Sequence, residues 1–249
     1  MRCFPIFLDV SRKKVLIIGA GAVGMRKLRA VLRAAPLSVT LVDPRLDTAA
    51  VPEAAGRDVQ CRARAFHPDD LDGQDVVFVA GSDRDAGAAA TALCRQRGIL
   101  CNCADAPDEG DFFVPAHFYR QGLCVAVGTE GRSPALARFL REELEAVIGA
   151  RFDALLVLLE RLRPRLLELG LTPEADAGVF RALVRSPLAE HLQKGEEQQA
   201  ETLLRGLLPA PLQARAGEYL QGLCNSPRPA PSAEQRRPGE REPTGMPAS

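Results

Sequence analysis

The stretch from Lys13 to Asp43 constrains this chain more than any other. An apolar run, Lys13-Lys14-Val15-Leu16-Ile17-Ile18, leads into Gly19-Ala20-Gly21-Ala22-Val23-Gly24. An amphipathic segment follows, and then a second apolar run, Ser38-Val39-Thr40-Leu41-Val42, ending at Asp43. The pattern is strand, G-x-G-x-x-G, helix, strand. Each glycine has its own task. Gly19 permits the tight turn out of the strand. Gly21 keeps a side chain away from a pyrophosphate. Gly24 lets the helix pack closely on the sheet. The free amides and positive end of the helix then favour phosphate charge. The pattern predicts a dinucleotide site; the alternative is a glycine-rich turn with no ligand.

Asp43 lies within the usual spacing of about 20 residues from the glycines. A carboxylate there accepts hydrogen bonds from the adenosine ribose and repels a 2′-phosphate, which favours NAD over NADP. Arg45 argues the other way, because a nearby arginine can hold that phosphate. Asp43 can also be read as a turn residue before Pro44.

Past this unit, strand and helix alternate to about residue 115. Val59–Ala63, Asp75–Ala80 and Gly98–Cys103 read as strands, and an alanine-rich helix runs from about Arg84 to Gln96. Near-continuous apolar strands separated by helices imply a parallel sheet covered on both faces. Such sheets bind ligands beyond the carboxyl ends of their strands. Three loops should therefore face one crevice: Gly19–Gly24, Gly81-Ser82-Asp83, and Ala104-Asp105-Ala106-Pro107. Phe112–Pro115 and Leu123–Val127 read as an antiparallel hairpin joined through His117–Gly122. From Ser133 to about Leu223 the apolar spacing is helical, with Pro164, Pro173 and Pro187 between successive helices. The expected fold is α/β: a Rossmann-type parallel sheet, then a small β-hairpin dimerisation region, then a C-terminal helical domain. The expected division is 1–111, 112–150 and 151–224. Residues 225–249, rich in Pro, Arg, Glu and Ser, read as a disordered tail.

Composition excludes several partners. The formal net charge of the 249 residues is zero, which argues against bulk electrostatic binding to nucleic acid or membrane. No apolar run is long enough to span a bilayer, and the N-terminal pattern does not suit a signal peptide. The seven cysteines are scattered. Cys101 and Cys103 share one face of a strand, and C-x-C matches neither a zinc knuckle nor a C-x-x-C redox motif. They read as small buried hydrophobes in a reducing cytoplasm, the expected location. Thiolate ligation of a metal in transit is the alternative. His67, His117 and His191 are isolated, so no resident metal is expected; His117, near the hairpin, is the one candidate for the pocket.

Two further stretches carry chemistry. Asp105 should leave a strand at its carboxyl end, facing the crevice, where a carboxylate can take the proton that accompanies hydride loss. Its alternative role is to cap backbone amides before Pro107. Ser133-Pro134 opens a helix, with Ser at the cap and Pro at the first position. Capping alone accounts for both, but Arg132, Arg138 and Arg141 would support an anion site there. Arg26, Lys27 and Arg29, early in the first helix, also suggest a nearby anion.

In order along the chain, Phe4-Pro5-Ile6-Phe7-Leu8, the glycine loop with Arg26-Lys27, Asn102-Cys103-Ala104-Asp105-Ala106-Pro107, Phe113-Val114-Pro115-Ala116 and Gly131-Arg132-Ser133-Pro134-Ala135-Leu136-Ala137-Arg138 resemble one family. It is the precorrin-2 dehydrogenase / sirohydrochlorin ferrochelatase family, the N-terminal module of siroheme synthase. The resemblance covers about residues 1 to 160. It implies NAD-dependent oxidation of precorrin-2 to sirohydrochlorin, with Fe²⁺ (or Co²⁺) as the chelation substrate in many members, and a homodimer. It places NAD near Ala22, Val23, Asp43, Pro44 and Ala80–Asp83. It makes Asp105 the shared catalytic residue and puts Ser133 at the substrate end, where the family Ser can be phosphorylated. The substrate carries eight carboxylates, so Asn102, His117, Arg132, Ser133 and Arg138 are the expected contacts, with Arg120 a further candidate. Too few residues follow the helical region for a methyltransferase domain, so a separate uroporphyrinogen methyltransferase is expected upstream. Competing readings are a dehydrogenase without chelatase activity and an NAD(H)-sensing module without chemistry.

Overall fold

The computed structural model describes residues 3–47, 51 and 58–224. The tail expected at 225–249 lies outside them. The chain forms two compact units: Met1–Ala116 with Gly128–Pro134, and His117–Val127 with Ala135–Ser249.

The first unit is built on a five-stranded parallel sheet. Its strands are β1 (Lys14–Ile18), β2 (Ser38–Val42), β3 (Val59–Arg62), β4 (Val76–Val79) and β5 (Leu100–Cys103), in the order β3-β2-β1-β4-β5. The register runs Ile18↔Val42 and Ile18↔Val79, with Val42↔Arg62 and Val79↔Cys103 outside them. Helix α1 (Ala22–Arg33) covers one face, where Leu28, Val31 and Leu32 pack against Val15, Ile17, Val39, Leu41 and Phe78. Helix α2 (Arg84–Arg97) covers the other, where Ala90 and Cys94 pack against Leu16, Val77, Val79, Cys101 and Cys103. The inner strands β1, β2 and β4 are buried on both faces and almost wholly apolar rather than alternating, whereas β3 at the margin, Val59-Gln60-Cys61-Arg62, is only half-buried.

The strand exits are locked together. The amides of Asp43, Gly19, Ala80 and Ala104 donate to the terminal carbonyls of Arg62 (3.2 Å), Val42 (2.8 Å), Ile18 (2.8 Å) and Val79 (2.9 Å). The loops that follow therefore start from one row of fixed backbone. Gly110-Asp111 then returns along β5. The Asp111 amide donates to the Cys101 carbonyl at 2.8 Å, and Asp111 Oδ2 accepts the Cys101 amide at 2.9 Å.

Residues Phe112–Pro115 are not a strand. Phe112 and Val114 instead cover the α1-side core, and the Phe112 ring meets the Phe78 ring edge-on at 5.6 Å. Burial of an aromatic ring against an existing core wins over a further ladder. The hairpin is β6 (Ala116–Arg120) and β7 (Leu123–Val127), so His117 is a strand residue rather than part of the connection. The turn is only Gln121-Gly122, with φ of 45° and 83°. Positive φ at both central positions is what a tight hairpin turn requires.

The second unit joins this hairpin to helices α3 (Pro134–Ile148, from Ala135 onward), α4 (Asp153–Glu168), α5 (Pro173–Arg185), α6 (Leu188–Lys194), α7 (Glu197–Leu207), α8 (Ala210–Gln213) and α9 (Ala216–Leu220). Leu155, Leu158, Leu162 and Leu166 form the spine of its core, packed among Leu183, Leu188, Leu204 and Leu220. Pro173 opens α5 behind a Thr172 cap, as expected. Pro164 does not separate helices; it lies inside α4. The fully buried Leu162 and Leu166 on either side hold the helix through it, offsetting the lost amide bond.

Candidate active site

Two of the three glycines in the loop are required by the fold itself. Gly19 has φ of 101°, and a Cβ there would lie 2.5 Å from the Gly81 amide nitrogen. A Cβ on Gly24 would lie 1.8 Å from the Gly19 carbonyl oxygen. Both positions are closed by the fold itself. Gly21 differs, because a Cβ there would meet nothing within 4 Å. The fold leaves Gly21 unexplained, whereas a pyrophosphate approaching the first turn of α1 explains it. No side chain caps that helix, and its first turn carries no acid, so the amides at Ala22, Val23 and Gly24 face no built-in anion. The residues present fit a dinucleotide.

Asp43 closes the loop from β2. Its Oδ2 accepts the Ala20 amide at 2.7 Å and its Oδ1 accepts the Arg45 amide at 2.7 Å. It is only 7% exposed, so it serves the backbone first. Pro44 and Arg45 turn outward, and Arg45 Nη2 donates to Ser82 Oγ at 3.3 Å. Asp83 caps α2, accepting the amides of Asp85 and Ala86, each at 3.1 Å. Ala80 and Gly81 line the close approach to the glycine loop.

Lys27 of α1 leans inward rather than into solvent. Its Nζ sits 5.6 Å from the centre of the Phe78 ring. Burial, then the neighbouring Arg26 charge, lowers its pKa to about 8. Asn102 of β5 shares that face of the sheet, since it pairs with Phe78. Its Nδ2 donates to the Phe112 carbonyl at 2.8 Å, while its Oδ1 is buried without a hydrogen-bond partner.

Asp105 follows β5 in a bend and is exposed. The one-turn helix after it, Pro107–Glu109, is preceded by Ala106 with no side-chain cap. The capping alternative for Asp105 is therefore not realised, and among the described residues its carboxylate makes no hydrogen bond or ion pair.

Ser133 precedes α3, tied by its backbone to one hydroxyl. Thr129 Oγ1 accepts the Ser133 amide and donates to the Ser133 carbonyl, both at 3.1 Å. Thr129 was not singled out in the sequence, where a lone hydroxyl four residues upstream carries no distinct signal. Arg132 makes an exposed ion pair with Glu130 at 3.4 Å. In the second unit, Arg138 pairs with Glu142 at 3.2 Å, also exposed. Such pairs are weak and exchange readily for another anion. Arg120 differs, because it is committed to a half-buried ion pair in which its Nε–H is shared between both carboxylate oxygens of Asp153, each at 3.0 Å. Arg120 is thus a structural link from β6 to α4 and not a spare cation. The half-buried His117 ring meets Tyr119 edge-on at 5.4 Å. Among the described residues, no group of three or more His, Cys, Asp or Glu is arranged to hold a metal ion. No described helix is long and apolar enough to cross a membrane.

Comparison with known proteins agrees with this geometry. The family described as "Putative NAD(P)-binding" matches residues 6–116. A siroheme synthase of Methylococcus capsulatus is 34% identical over 204 residues, covering 82% of this chain and 43% of that protein. Siroheme synthase 1 of Aeromonas hydrophila is 31% identical over 222 residues, covering 89% of this chain and 48% of that protein. The family resemblance read from the motifs is borne out. The chain spans about half the length of these curated relatives. Among solved structures, the precorrin-2 dehydrogenase SirC shares the fold, with a TM-score of 0.65 at 20% identity, covering 82% of this chain and 98% of that one.

Proposed function

We propose that this protein is an NAD-dependent precorrin-2 dehydrogenase of sirohaem biosynthesis, and that the same pocket inserts Fe²⁺ into the product. The observation that carries the reading is Asp105, an unengaged carboxylate at the carboxyl end of a strand in the sheet whose glycine loop is open at Gly21.

Bound NAD⁺ supplies the hydride acceptor. The chain's own residues do the rest. The first-turn amides of α1 and the Gly21 opening hold the phosphates. Asp105 accepts the proton released as the substrate is oxidised. In the first unit, Arg132, weakly held by Glu130, takes substrate carboxylates together with Asn102 and Ser133; His117 and Arg138 are the candidate carboxylate contacts of the second unit. In chelation, two pyrrole N–H protons must leave as iron enters; Asp105, exposed to solvent, takes each and passes it to water before accepting the next. Two successive reactions then need only one base.

The exposed apolar face of α3 supports a homodimer. Leu136, Phe139, Leu140, Leu144 and Val147 recur at helical spacing, and Val147 is 73% exposed. Ala137 is the one buried residue of that helix. A second copy of the chain covers this face.

The test is anaerobic absorbance of precorrin-2 with the purified protein. NAD⁺-dependent formation of sirohydrochlorin supports the dehydrogenase. A further change on adding Fe²⁺ or Co²⁺, faster than without protein, supports the chelatase. Its absence leaves a dehydrogenase alone. No oxidation despite NAD⁺ binding would favour the sensing module.

A further inference from the structure

The acid expected to reject a 2′-phosphate does not face outward. Both oxygens of Asp43 accept backbone amides, those of Ala20 and Arg45, and the side chain is nearly buried. The two N–H dipoles aimed at it offset part of its charge. Its neighbour Arg45 is exposed. The Arg45 guanidinium reaches from the exit of β2, past the exit of β1, to Ser82 beyond β4. That contact, at 3.3 Å to a neutral exposed hydroxyl, is long and exchanges easily for a charged acceptor. At the next exit outward, the Arg62 and Arg64 guanidiniums converge on a single buried carboxylate, Asp70. Asp69, the next acid, is exposed and pairs with His67. Among the described residues at the exit of β2, Asp43 is thus held inward, while Arg45 and, two residues on, Asp47 are exposed.

We infer that Arg45 is a specificity-determining residue that lets this site accept a 2′-phosphate, so that the protein binds NADP⁺ as well as NAD⁺. This rests on the dinucleotide site proposed above. The planar guanidinium matches a phosphate by paired N–H donors, and an arginine near the end of β2 is the group that accommodates a 2′-phosphate in folds of this type. Asp43 keeps the glycine loop in place and leaves the selection to Arg45.

The experiment is calorimetric titration of the full chain with NAD⁺ and, separately, with NADP⁺, for the wild type, Arg45→Ala and Arg45→Lys. The wild type is expected to bind the two nucleotides within about tenfold of each other. Arg45→Ala should shift the ratio of the two Kd values against NADP⁺ by about 10- to 100-fold, the scale of a charge-assisted hydrogen bond, and Arg45→Lys by less. A structural role for Arg45 would weaken both nucleotides alike and leave the ratio unmoved, which would overturn the inference. NAD⁺ binding with NADP⁺ more than about 100-fold weaker would also overturn it and leave the dinucleotide site standing. If neither nucleotide binds the wild type, the dinucleotide site itself is wrong.

Discussion

The carboxylate of Asp43 accepts the amide of Ala20 at 2.7 Å, joining the end of β2 to the loop that leaves β1. The loop's conformation therefore depends on a residue far from it in sequence. Asp43→Ala leaves the Ala20 and Arg45 amides without that acceptor, which should cost about 1–3 kcal/mol of stability. Urea denaturation measures it, and NAD⁺ affinity should fall with it. An unchanged midpoint would mean that the two amide bonds contribute nothing.

Gly21, which precedes α1, and Gly24, within it, should separate folding from binding. Gly24→Ala forces a Cβ onto the Gly19 carbonyl and should destabilise the unit by at least about 1–3 kcal/mol. Gly21→Ala has open space around its Cβ and should fold with stability within about 0.5 kcal/mol of wild type. It should nonetheless bind NAD⁺ more weakly. Thermal melts and titrations of both variants decide the point, and equal melting losses would refute it.

Asp105→Asn removes a carboxylate with no structural partner. Stability should stay within about 0.5 kcal/mol, while dehydrogenation slows by about 10²–10⁴-fold. If iron insertion slows in parallel, one base serves both reactions. If it keeps its rate, the chelatase role of Asp105 is lost and the dehydrogenase role remains.

Asp70 predicts the acid limb of stability. Hydrogen bonding from Arg64, ahead of the His67 amide and Arg62, outweighs burial and lowers its pKa from 3.8 to about 2. For an acid lowered on folding, the unfolded chain binds more protons in this range. The contribution is thus full above about pH 4 and disappears as pH falls through about 2. Its size is on the order of 2 kcal/mol. Denaturation of Asp70→Asn from pH 5 down to 2 should show a shallower loss than wild type.

Phe139→Glu and Val147→Glu place charge on the apolar stripe of α3 without entering the helical core. Sedimentation should show a dimer for wild type and a shift to monomer for the double variant, with the far-UV spectrum unchanged. A wild-type monomer would defeat the assembly proposed here.

The sheet was legible because burial on both faces leaves a simple record: four mainly apolar runs, each ending near a loop that carries glycine or acid. The same apolarity misled at Phe112–Val114, where hydrophobic side chains cover a core without joining a ladder. Pro164 misled for the opposite reason, because tertiary packing of α4 outweighed a local breaker. At the site, Gly19, Gly21 and Gly24 could be assigned from spacing. The inward turn of Asp43 and the commitment of Arg120 to Asp153 could not, since each depends on a partner fixed only by the fold.

The return of the chain at Gly110-Asp111 has a further consequence for solubility. Open sheet margins invite pairing between molecules. At β5, Asp111 exchanges two hydrogen bonds with Cys101, one of them through its side chain, and so occupies the place where a foreign strand would dock. A Cβ on Gly110 would sit 3.0 Å from the Cys101 carbonyl oxygen, so only a residue without one fits there comfortably. The opposite margin, β3, is guarded by charge instead, through Arg62 and Arg64. Replacing Gly110 or Asp111 would therefore register first as aggregation at high protein concentration, before any loss of chemistry.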